Sequence, residues 1–252
     1  MLFGGAVFLM VIFIVIVFKS RSNVKKEKKR QEKFSQNLIQ SQEEERRRFA
    51  RELHDSIGQQ LTLIKRKSQN LGQEEITRMI DNALEEIRSI SRNVYPTLLK
   101  ELGLTESIAQ LINEYDAQTD LFFSVDIDPI DACFTDQISL NFYRLIQECL
   151  TNIIKHAKAK AVTIHIKKQH TTIIALISDN GKGFNINDAK KKNGLGLKTI
   201  FERIKIVNGK ISITSTLGIG TSFTFFIPVK NESYHYYTYC RRSSNTLKRI
   251  KR

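Results

Sequence analysis

Cysteine, proline and acid are all scarce in this 252-residue chain. The three cysteines, Cys133, Cys149 and Cys240, form no CxxC pair and are odd in number, a pattern of reduced cytoplasmic thiols that leaves structural zinc without a ligand set. No GxxxxGK[ST] string occurs, which removes the basis for a P-loop ATPase. HRD and DFG are missing too, so the protein-kinase catalytic set is absent. Acidic residues number 26 against 40 lysines and arginines, a formal charge of +14. Much of that excess sits in residues 19–33 and 241–252, and no helix-turn-helix, zinc finger or aromatic-basic strip lies between them. No direct nucleic-acid partner is therefore expected, and anionic lipid is the nearer partner for the first basic cluster.

Residues 2–18 form an uncharged apolar run just long enough to span a bilayer. No basic residue precedes it and no small-residue cleavage site follows, so the run reads as a retained anchor. Lys19, Arg21, Lys25, Lys26, Lys28, Lys29 and Arg30 follow at once. The positive-inside rule then predicts a single-pass protein of the plasma (inner) membrane with its remaining chain in the cytoplasm. No extracytoplasmic sensor domain fits before Leu2, so the signal is expected through the membrane helix, its lipid surroundings or a partner protein.

Residues 23–70 contain no proline and read as one long helix, amphipathic from Phe49 through Leu53, Ile57, Leu61 and Ile64. Gly72 breaks it. A second helix carries Ile76, Ile80, Ala83, Ile87, Ile90 and Val94 at alternating four and three spacing, and Tyr95-Pro96 ends it. Two such stripes bury themselves best when two hairpins form a four-helix bundle, which predicts a homodimer.

After Pro96 the pattern becomes a compact α/β alternation. Helices are expected at 106–117, at 137–157 with Asp136 as its cap, and at 197–207 closed by Asn208-Gly209. Strands are expected at 121–127, 161–166, 171–177, 210–215 and 221–228, and 185–193 reads as a mobile loop. The fold class is thus α plus α/β. The expected units are a transmembrane helix (2–18), a juxtamembrane helical linker (19–42), a two-helix dimerisation hairpin (43–96), an α/β sandwich (97–230) and a basic tail (231–252).

Three polar clusters describe a nucleotide pocket. On the helix at 137–157, Glu148, Asn152 and Lys155 share an edge, with His156 beside them. Asn152 offers a hard oxygen for Mg²⁺, Glu148 can orient a metal-bound water, and Lys155 can offset phosphate charge. Asp179, at a strand end, can accept a hydrogen bond from an adenine amino group, and Gly181 and Gly183 permit close ligand approach. Gly194, Leu195, Gly196 and Leu197 open the next helix, where free amides can face phosphate oxygens. Thr221 can add a hydroxyl to the base-binding network.

Upstream, His54 falls at the rim of the apolar stripe, with Asp55 next to it and Gln59 four residues beyond Asp55 on one face. An imidazole held there can attack a γ-phosphoryl group while a neighbouring carboxylate takes the other ring proton. Gln59 can orient a water for the reverse hydrolysis.

These clusters, in this order, resemble the bacterial sensor histidine kinases of the GHKL ATPase superfamily. Residues 148–157 (ECLTNIIKHA) are similar to that family's N box, 179–184 (DNGKGF) and 194–197 (GLGL) to its two glycine boxes, and 52–59 (ELHDSIGQ) to the phosphoacceptor box of the subgroup paired with helix-turn-helix response regulators. The resemblance implies that His54 is phosphorylated from Mg-ATP and passes its phosphoryl group to an aspartate in a response regulator receiver domain. It also implies that Asp55 is the base, that Asp55 with Gln59 supports phosphatase activity, that Asn152 binds Mg²⁺ and Asp179 adenine, and that 185–193 is the ATP lid. Two other readings stay open: a membrane scaffold switched by ATP without phosphotransfer, and an ATPase of the gyrase, chaperone or mismatch-repair kind using Glu148.

Overall fold

The computed structural model describes residues 2–96, 99–186 and 195–229. A helix, α1, runs Leu2–Glu52 and continues through a π-helical turn at Leu53–Gly58 into α2, Gln59–Asn70. Gly72, at φ 67°, reverses the chain, and α3, Glu74–Val94, returns antiparallel to complete the expected hairpin. The turn is tied by Ser68, whose Oγ bonds the Gln73 carbonyl and Thr77 Oγ1, both at 3.0 Å. Among the described residues no helix is long and apolar enough to cross a membrane. The expected span at 2–18 falls mainly on side chains outside the described residues, as does the tail from residue 230 onward.

The stripe read from the long helix divides. Leu53 and Leu61 are half-buried and Ala50 fully buried against α3, where Ser91 Oγ donates to the Ala50 carbonyl at 3.1 Å. Phe49, Ile57 and Ile64 instead stay 41–52% exposed. One hairpin has only one opposing helix, so only the side of the stripe that faces α3 is covered. On α3, Ile80, Leu84 and Ser91 are buried while Ile76, Met79 and Ile90 are exposed.

The second unit is a five-stranded sheet in the order β1-β2-β3-β5-β4. Its strands are β1 (Phe122–Ile127), β2 (Ala161–Gln169), β3 (Thr172–Asp179), β4 (Lys210–Thr216) and β5 (Gly220–Pro228). β1 pairs parallel to β2 and every other pair is antiparallel. Three helices form the second layer: α4 (Gly103–Gln118), α5 (Asp136–Asn152) and α6 (Leu195–Ile206). Alternation along the strands sends Val162, Ile164, Ile166, Ile173, Ala175, Ile177, Phe223, Phe225 and Ile227 into one core with Ile108, Leu145, Cys149 and Ile200 from the helices.

Local signals resolve as follows. The cap of α5 is Thr135, in extended conformation, and Asp136 is the first helical residue, because the Thr135 carbonyl takes the first amide, that of Ser139, at 2.8 Å. The last turn expected of that helix is a π-helical turn at Ile153–Ala157, ended by Lys158 at φ 52°. The β2–β3 hairpin turns at His170, φ 52°, and α6 closes at Asn208, φ 53°, with the Gly209 amide bonded to the Ile204 carbonyl at 2.9 Å.

Candidate functional site

Strand parity aims the first site residue. Asp179 ends β3 on the same face as Ile173, Ala175 and Ile177, so it projects into the helix layer and is 7% exposed. Thr221 lies directly across the ladder on β5, also 7% exposed, and its hydroxyl bonds Ser215 Oγ at 2.9 Å. Burial pushes the Asp179 carboxyl above the usual aspartate range, against the backbone amides of Gly181 and Thr221, which pull it down. The Gly181 amide donates to Asp179 Oδ1 at 2.8 Å.

The loop after Asp179 is pressed onto the end of the α5 helix. The Lys182 amide donates to the Ala157 carbonyl at 2.8 Å, and a Cβ on Gly181 would lie 2.3 Å from that same oxygen. Gly183 has φ 61°, and a Cβ there would meet the Thr216 carbonyl at 2.1 Å. These glycines are required by the backbone packing itself. Asn180 Oδ1 accepts the amides of Lys160 and Ala161, both at 2.9 Å, which fixes the loop to the start of β2.

Gly196 brings the third cluster in. A Cβ at that position would sit 2.6 Å from Glu148 Oε1 and 3.1 Å from Asn152 Oδ1, so the start of α6 abuts the polar edge of α5. Glu148, Asn152, Gly196 and Leu197 are half-buried; Lys155 and His156 are exposed on the π-helical turn. Gly194 and most of the expected lid lie outside the described residues, as does the side chain of Leu195. The residues present fit an adenine nucleotide at the base: Asp179 is a buried carboxylate able to accept a hydrogen bond from an adenine amino group. Asn152 places its amide oxygen, a hard donor of the kind Mg²⁺ takes, beside the start of α6.

His54, Asp55 and Gln59 are exposed. The π-helical turn redistributes them. In an α-helix residues five apart stand about 140° from each other, whereas an i→i+5 turn brings them round to one side. Accordingly His54 and Gln59 share a groove of about 400 Å³ with Gly58, Thr62, Leu63, Leu84, Ile87 and Arg88. Asp55 lines a separate groove with Arg48, Arg51, Glu52 and Ser56, a departure from the single Asp55/Gln59 face that α-helical spacing predicts.

A charged cluster that no sequence motif marks lies beside the nucleotide unit. Glu43 on α1 is 8% exposed, and its Oε2 accepts Arg144 Nε at 3.1 Å and Nη2 at 2.9 Å. Its Oε1 accepts Arg203 Nη2 at 2.6 Å. Burial raises the Glu43 carboxyl, but the two guanidiniums outweigh it and hold the group below the usual glutamate range. A signal was available for one of the pair, since Arg144 interrupts the apolar run 142–146 and a buried arginine demands a partner.

Residues 137–231 match the family described as "Histidine kinase-, DNA gyrase B-, and HSP90-like ATPase", and residues 45–99 match one described as "Histidine kinase". The signal transduction histidine-protein kinase/phosphatase DegS of Brevibacillus brevis is 31% identical over 213 residues, 79% of this chain and 55% of the relative. The oxygen sensor histidine kinase NreB of Staphylococcus carnosus (strain TM300) is 31% identical over 216 residues, 81% of this chain and 62% of the relative. The chain thus spans little more than half the length of the curated relatives it matches. Among solved structures, the blue-light activated histidine kinase of Erythrobacter litoralis EL346 aligns at TM-score 0.47 and 16% identity, over 70% of this chain and 61% of that one.

Proposed function

The chain belongs to the sensor histidine kinases, and on that premise we propose that it transfers the γ-phosphoryl group of ATP to His54 and then to an aspartate on a response regulator receiver domain. The observation that carries this reading is the pairing of an exposed His54, open to a groove it shares with Gln59, with a nucleotide cradle centred on the buried carboxylate of Asp179 in one chain. The imidazole nitrogen of His54 attacks phosphorus as the bond to the ADP oxygen breaks, and Asp55 takes the proton of the other ring nitrogen. Asp179 and Thr221 would hold the base, and the free amides at the start of α6, Leu195 to Leu197, would meet the phosphates. Asn152 would hold Mg²⁺, with Glu148, Lys155 and His156 beside it, and the metal would supply charge neutralisation for the triphosphate. Gln59 orients water when the regulator is dephosphorylated.

The same reading makes the protein a homodimer, because Leu63 and Met79 are 68% and 66% exposed on the hairpin and need a second copy to cover them. Residues 2–18 anchor it in the plasma membrane as a single pass, with the basic stretch after it on the cytoplasmic side. Incubation with γ-labelled ATP should give an acid-labile, alkali-stable protein phosphate that disappears in His54→Ala. Nucleotide-dependent partner binding that survives His54→Ala, with no labelled protein, would favour the ATP-switched scaffold instead.

A further inference from the structure

Resting on that reading, we propose that Glu43 is a positioning residue for the phosphoryl transfer: it sets where along α1 the ATPase unit docks, so that the nucleotide cradle faces the level of His54. One carboxylate gathers three segments. Arg144 of α5 reaches it and also donates from Nη2 to the Val94 carbonyl, at the end of α3, at 2.7 Å. Arg203 of α6 reaches its other oxygen and donates from Nη1 to Asn141 Oδ1 at 2.9 Å. A second pair, Lys205 with Glu32 at 3.4 Å, extends the contact up α1.

The order of these pairs gives direction. Arg203 meets Glu43 while Lys205 meets Glu32, so α6 runs against α1 and its beginning lies toward His54. The two layer helices are antiparallel to each other, because Arg203 bonds Asn141 at one end and Gly196 abuts Glu148 and Asn152 at the other. Clamp and cradle therefore occupy opposite ends of the α5–α6 pair, and the cradle is the end nearer His54. The lengths agree. His54 is eleven residues past Glu43, about 16 Å of helix, and Asn152 is eight past Arg144, about 12 Å.

Ion pairs buried in this way add little net stability, since desolvation offsets attraction, but two planar guanidiniums around one carboxylate accept only a narrow geometry. That property suits a register pin. Both arginines belong to the ATPase unit and the carboxylate to the helix bearing the phosphoacceptor. Loss of Glu43 leaves two cations that regain water only if the unit leaves α1.

The test compares the full chain with Glu43→Gln, Glu43→Asp and Glu43→Arg, reading ATP affinity, the KM for ATP and kcat for label on His54. Misplacement of a reacting group by an ångström costs up to about 100-fold, so Glu43→Gln should lower kcat about tenfold or more while KM and affinity hold within about twofold. Glu43→Asp should be intermediate, and Glu43→Arg, which adds a third guanidinium, the most severe. An unchanged or raised kcat in Glu43→Gln overturns the proposal. So does ATP affinity that falls in step with kcat, since the residue would then only support the fold. Absence of label in the unaltered chain sinks the phosphotransfer reading itself and this role with it.

Discussion

Replacing Gly181 by alanine tests the cradle at its tightest point. The new Cβ would stand 2.3 Å from the Ala157 carbonyl oxygen and 2.8 Å from both the carbonyl carbon and the Cβ of that residue. Ordinary carbon contacts lie at about 3.5–4.0 Å, so backbone has to separate from backbone by roughly an ångström. Two hydrogen bonds stand in the way, Gly181 amide to Asp179 Oδ1 and Lys182 amide to the Ala157 carbonyl, each 2.8 Å. Losing both at about 1 kcal/mol each, with an overpacking cost of about 1–3 kcal/mol, gives a destabilisation of about 3–5 kcal/mol. Asp179 also loses a donor that orients its carboxylate, so adenine-nucleotide affinity should drop at least tenfold. Thermal unfolding and titration with a fluorescent ATP analogue measure the two effects on the full chain. Gly218→Ala is the comparison, having φ 78° but nothing within 4 Å of its Cβ. It should cost only the left-handed backbone penalty of about 1–2 kcal/mol and leave nucleotide binding unchanged. Affinity and melting of Gly181→Ala equal to those of Gly218→Ala would refute the account.

Acid should weaken nucleotide binding earlier than an ordinary aspartate would. Burial raises the Asp179 carboxyl, so the folded protein disfavours its ionised form; this residue's contribution to stability increases as pH falls through its raised value, while affinity for adenine, which needs the ionised acceptor, decreases there. Titration of ATP affinity against pH should place the loss above the usual aspartate range, and Asp179→Asn should remove that step; a step that persists in the variant counts against Asp179. On the hairpin, Leu63→Glu combined with Met79→Glu should convert dimers to monomers by light scattering. Full burial of each side chain contributes about 1.5–3 kcal/mol, and a dimer that withstands both charges would show that another surface joins the copies.

Much of the nucleotide unit was legible because strands and their ends write themselves into sequence. Alternation in β3 announced a buried face, and the polar residue that continued it, Asp179, had to point into the helix layer. The glycines after it read as room for a ligand, whereas folding uses them against the protein's own backbone, and Ser215, which accepts the Phe184 amide at 2.9 Å and braces Thr221, carries no pattern of its own. On the hairpin the number and ends of the helices were readable, but which half of each stripe meets its neighbour was not, since periodicity defines a face without saying who covers it. Glu43 was hidden for a different reason. It sits in a run of three glutamates, and only folding selects the one whose partners lie 101 and 160 residues away.

The two π-helical turns make the same point about function. Each falls within a motif, Leu53–Gly58 across the histidine segment and Ile153–Ala157 across the end of the α5 cluster. Such turns give up the better α-helical geometry and persist where something else requires them. At the first, the requirement is a shared groove for His54 and Gln59. At the second, the Ala157 carbonyl, free because it lies in the last turn of the helix, accepts the Lys182 amide. That bond suspends the glycine loop from the helix that carries Asn152. The first turn therefore joins residues that α-helical periodicity would keep apart, and it is this break in period, rather than any residue type, that puts His54 and Gln59 on one groove.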